Sequence, residues 1–88
     1  MKRNDEFVLR ELADKNVLIP FGKKAVDFNG VITINNTAKF LWEKSEDEIV
    51  PEKLAAALIE EFQIDEATAN EAVKVFIEQL KEAGCINE

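Results

Sequence analysis

Eighty-eight residues supply one hydrophobic core, because each half of a divided chain would fall below the size that folds without staples. Apolar residues make up 47% and charged residues 33%, a globular balance that predicts a single domain over residues 1–88. Eleven Lys and Arg against eighteen Asp and Glu give a net charge of -7, which counts against a nucleic-acid partner.

The distribution of charge sharpens that exclusion. Eight of the eleven basic residues fall in the first half, up to Lys44. Beyond it only Lys53, Lys74 and Lys81 face a dozen acids. The longest run without a charge, Phe28 to Ala38, contains Asn, Gly and Thr and is too short and polar to span a bilayer. No apolar run follows the basic residues Lys2 and Arg3, so no secretory signal and a cytoplasmic location are expected.

Chemistry is poorly provided for. The chain has no histidine, which removes the usual general base and the usual zinc site. Gly22, Gly30 and Gly84 are too far apart to form a phosphate loop. The neighbouring carboxylates Glu46/Asp47/Glu48 and Glu60/Glu61 read as solvated surface. Cys85 has no partner for a disulfide, and Glu82 and Glu88 would raise its pKa, so it reads as a small packing residue. No catalytic residue, metal or cofactor is expected.

The first half reads as strands. Phe7–Leu12 and Val17–Gly22 flank the polar stretch Ala13-Asp14-Lys15-Asn16, a hairpin pattern with a four-residue connection. Pro20 has no N–H and belongs at a strand end or edge. Lys23–Phe28 leads to Asn29-Gly30, a dipeptide suited to a tight turn. Val31-Ile32-Thr33-Ile34, four β-branched residues in a row, is the clearest strand.

The second half reads as helices. Asn35 is a good N-cap for a helix from Thr37 to about Lys44, with Ala38, Leu41 and Trp42 at helical spacing. Pro51 suits the first turn of a second helix, running to about Phe62 and burying Leu54, Ala57, Leu58 and Phe62. Asp65 caps a third helix that ends near Ala83 and stops at Gly84, and Cys85-Ile86 returns as a short extended tail. Two or three strands followed by three helices predict an α+β, winged-helix-like domain.

On the third helix, Ala69, Val73, Phe76, Ile77 and Leu80 form one apolar stripe, with Glu71, Lys74, Glu78 and Lys81 opposite. Ala72, Val75, Gln79 and Ala83 form a second strip beside Phe76, with Val75 at its margin. Periodicity alone leaves two readings of that strip: it packs beneath the sheet, or it walls an exposed groove.

Taken in order, Phe7–Ala13, Val17–Gly22 and Phe28–Asn35 resemble the opening of the PqqD-like family, that of the pyrroloquinoline quinone synthesis protein D. The stretch Asn35–Trp42, then Glu60–Asp65 and Phe76–Ile86, continues the likeness over nearly the whole chain. The resemblance implies a three-stranded antiparallel sheet packed on a three-helix bundle, without catalysis or cofactor. It also implies binding of a precursor leader peptide, presented to a radical S-adenosylmethionine or other peptide-modifying enzyme. By the same resemblance the leader would add as a strand to Val31, Ile32, Thr33 and Ile34 and lie against Ala72, Val75, Phe76 and Gln79, which favours the groove. A winged-helix DNA-binding regulator is the alternative, and a structural subunit of a larger enzyme is a third. Membrane binding is not expected, and a homodimer paired through exposed strand edges stays open.

Overall fold

The computed structural model describes residues 1–4, 6–23 and 31–87 of the chain. A short strand, β1 (Lys2–Arg3), precedes a hairpin of β2 (Phe7–Leu12) and β3 (Lys15–Pro20), and β4 (Ile32–Ile34) follows. Three helices come next: α1 (Asn36–Lys44), α2 (Pro51–Phe62) and α3 (Glu66–Ala83). The last strand is β5 (Ile86–Asn87). The α+β order of sheet and then helices is the one expected.

The hairpin is tighter than its polar connection predicts. Leu12 stands opposite Lys15, so the turn is Ala13-Asp14 alone, and Lys15 and Asn16 belong to β3. Ala13 takes a positive φ of 57°, as the first central position of a II′ turn demands. That conformation suits Gly better than Ala, and strand pairing on both sides imposes it here. Pro20 ends β3, where its missing N–H costs little. The expected strand Lys23–Phe28 and the Asn29-Gly30 turn lie outside the described residues, Lys23 apart.

β3 is the centre of the three-stranded antiparallel sheet, in the order β2-β3-β4. Its partners on the β4 side are Ile34 for Asn16, Thr33 for Val17 and Ile32 for Leu18. The third strand is one residue shorter than its β-branched run suggests, because Val31 precedes the ladder.

α1 and α3 start where a side chain satisfies an end group, and α2 and α3 stop at left-handed residues. Asn35 Oδ1 accepts the Ala38 N–H at 2.8 Å and caps α1 as expected, and the helix begins at Asn36, one residue earlier than the periodicity predicts. Asp65 Oδ1 accepts the Thr68 N–H at 2.7 Å to cap α3. Hydrogen bonds from the Thr68 side chain and backbone hold the Asp65 carboxyl below its ordinary pKa. Gly84, at φ 75°, closes α3 with a left-handed cap. α2 ends on Gln63, also left-handed, at φ 53°.

Phe7, Leu18 and Ile34 face the helices from the sheet, and Leu41, Trp42, Leu58, Phe76 and Leu80 meet them in one core. Two expectations for α2 fail. Ala55, not Ala57, is buried beside Leu54 and Leu58, and Phe62 is 47% exposed. Phe62 sits in the last turn and stacks edge-on against Phe40 of α1, with ring centres 5.3 Å apart.

The chain ends meet in a second sheet that periodicity did not reveal. β1 pairs antiparallel with β5, Lys2 opposite Asn87 and Arg3 opposite Ile86. The Asn4 N–H donates to the Cys85 carbonyl at 2.6 Å, and the Ile49 N–H to the Met1 carbonyl at 2.7 Å. Cys85 is fully buried in the core, the packing role its surroundings in the sequence suggest.

Candidate functional site

The geometry of the site follows from the alternation of the antiparallel ladder. The Phe21 N–H donates to the Glu6 carbonyl at 2.8 Å, which marks that opposed pair as hydrogen-bonded. Counting along the register, Val8/Ile19, Arg10/Val17 and Leu12/Lys15 are hydrogen-bonded pairs as well. The last is the pair that a two-residue turn closes. Val17 therefore directs its N–H and C=O toward β2 and faces Thr33 across a non-hydrogen-bonded pair. The N–H and C=O of Thr33 point away from β3, to the outer edge of the sheet.

One side chain meets that edge. Gln79 Nε2 donates to the Thr33 carbonyl at 3.3 Å, joining the last quarter of α3 to the middle of β4. Next to this contact lies a groove of about 540 Å³ between the start of α1 and the outward face of α3. Its apolar surface comes from Ala38, Ala67, Ala72, Val75 and Phe76, and its polar rim from Asn35, Thr37, Thr68, Glu71 and Gln79.

Of the eight residues expected at the site, Ala72, Val75, Phe76 and Gln79 all line this groove. Val75 is 53% exposed, whereas Phe76 is 2% exposed and belongs to the core while also bordering the groove. Phe76 belongs to the buried stripe, whereas Ala72, Val75, Gln79 and Ala83 of the second strip are all at least partly exposed. Of the strand residues, Ile32, Thr33 and Ile34 form β4, and Val31 lies just before it, half exposed. Ile34 is buried and faces the core, whereas Thr33 is exposed at the edge.

Several lining residues were not foreseen. Helical spacing puts Glu71 on the charged side of α3, yet it lines the groove one turn before Val75. Thr68 precedes Ala72 by the same spacing, so the helical period itself contains both. Asn35, Thr37 and Ala38 enter from α1, and only the packing of α1 on α3 brings them there. A second groove, lined by Val73 and Ile77 of α3, also holds Glu52, Lys74, Glu78 and Lys81, so its rim is far more charged.

Among the described residues, no group of three or more His, Cys, Asp or Glu side chains is placed to hold a metal ion. Nor is any described helix long and apolar enough to cross a membrane. The outer edge of β4 and the apolar groove thus lie side by side, bridged by Gln79.

The comparisons with known proteins agree with this architecture. The family model for coenzyme PQQ synthesis protein D (PqqD) matches residues 15–86, and the chain belongs to that family. No curated protein sequence matches it. Among solved structures, TbiB1 in complex with the TbiA(beta) leader peptide shares the fold, with a TM-score of 0.75. The two are 20% identical, and the alignment covers 97% of this chain and 93% of the other.

Proposed function

We propose that this protein is a non-catalytic peptide-recognition module that captures the leader of a ribosomally made precursor by strand addition. The observation that carries the reading is the outward-facing Thr33 beside a groove of about 540 Å³. An added strand pairs its backbone with that edge, and every second side chain turns toward the groove. Membership of the PqqD family supports the reading, as does the leader peptide bound by the structurally similar TbiB1.

In this reading Val31–Ile34 supply the docking edge, and Ala72, Val75, Phe76 and Gln79 supply the wall. The module acts as a single domain in the cytoplasm and delivers the bound peptide to a modifying enzyme, a radical S-adenosylmethionine enzyme in particular. Holding a peptide near that enzyme raises its effective concentration without any chemistry by the module. Pairing of two copies through β4 would occupy the same edge and compete with the peptide.

Isothermal titration tests the reading with a synthetic peptide carrying the N-terminal half of the precursor encoded beside this gene. Saturable binding near one peptide per chain, with a negative heat-capacity change from apolar burial, is expected. No heat of binding, with the protein folded, would reject the module in favour of a purely structural subunit.

A further inference from the structure

On the basis of the strand-docking reading, we propose that Gln79 is a latch on the β4 edge, which holds the Thr33 carbonyl until a peptide backbone N–H replaces it. An outer strand presents unpaired donors and acceptors that template pairing with other chains, and proteins cover such edges in various ways. Here the ladder parity leaves Thr33 as the residue of β4 whose two backbone groups both face outward. The Gln79 carboxamide covers one of them.

The contact is suited to release. At 3.3 Å it is longer than the usual N–H···O range, and it lies in an exposed setting where water competes for both groups. An incoming strand runs about 4.8 Å from β4 and delivers its own N–H to the Thr33 carbonyl. That strand occupies the space the Gln79 amide now fills, so the side chain must leave. Gln79 also lines the groove, and the displaced carboxamide stays beside the bound peptide rather than in its path.

The test uses the full chain and the synthetic N-terminal precursor peptide described above, with Gln79→Leu as the variant. Leu keeps the bulk of the wall but has no donor for Thr33. In the unbound protein, the Thr33 carbonyl carbon resonance should move in the variant, reporting loss of the hydrogen bond. On titration of the wild-type protein, the Gln79 side-chain amide resonances should shift and saturate with the peptide. The variant should bind about two- to tenfold more tightly, the range expected when one competing hydrogen bond is removed. Peptide binding with unmoved Gln79 resonances, or with equal or weaker affinity in the variant, would overturn the latch alone. Absence of peptide binding by the wild-type protein would overturn the docking reading, and the latch with it.

Discussion

The Arg3 guanidinium lies 4.6 Å from the centre of the Trp42 ring and donates to the Trp42 carbonyl at 2.7 Å. This pair fastens the N-terminal strand to the last turn of α1, where the Trp42 carbonyl also accepts the Ser45 N–H at 3.1 Å. Arg3→Ala should therefore lower stability by about 1–2 kcal/mol, measured by urea unfolding. The groove is lined by the start of α1 and by α3, whereas Trp42 lies near the other end of α1, so peptide affinity in the folded variant should not change.

The ladder parity separates two neighbouring proline substitutions. Thr33→Pro removes an outward N–H and leaves the β3–β4 bonds in place. It should weaken peptide binding about tenfold or more with little loss of fold. Ile32 directs its N–H to β3, so Ile32→Pro should break the ladder and lower the unfolding midpoint instead. Calorimetry on both variants, with peptide titration of each, distinguishes the outcomes. Unchanged peptide affinity in folded Thr33→Pro would contradict β-addition at this edge.

Phe76 and Val75 are adjacent on α3 and should behave oppositely. Phe76→Ala empties a fully buried site and should cost about 3–5 kcal/mol. Val75→Asp places a charge on an exposed position in the groove, so it should leave the fold nearly intact and weaken peptide capture. A strongly destabilised Val75→Asp protein would show that the strip is core.

Phe62 yields a prediction from an expectation that failed. The ring is half exposed and leans on Phe40, whose face also lies 5.5 Å from the Lys44 ammonium. Phe62→Ala should cost roughly 1 kcal/mol, set by the aromatic pair rather than by a core cavity. Loss comparable with that of Phe76→Ala would show that Phe62 is buried in solution.

These residues also mark how far the sequence reaches. Asn35, Asp65 and Gly84 were legible because a helix end states its needs locally, in a side-chain acceptor or a left-handed residue. Ala13 was not, since nothing in its chemistry favours a positive φ, and the paired strands impose it. Phe62 keeps the period of Leu58, but its ring packs on Phe40 at the surface, a contact between two helices that periodicity does not show. The β1–β5 pair joins residues from opposite ends of the chain, and two-residue strands leave no periodicity to read. In the site, helical spacing outlined the α3 strip and the family resemblance favoured reading it as a wall, whereas the contribution of α1 required the tertiary packing.

The most direct test of the docking account is fluorescence anisotropy with the labelled N-terminal precursor peptide and with a labelled DNA duplex, each over a salt series. Backbone pairing and apolar side chains should give peptide binding that saturates and weakens only modestly with salt. A chain of net charge -7 should leave the duplex unbound near physiological ionic strength. Tight duplex binding with a steep salt slope, and no binding of the peptide, would contradict the account and favour the DNA-binding alternative.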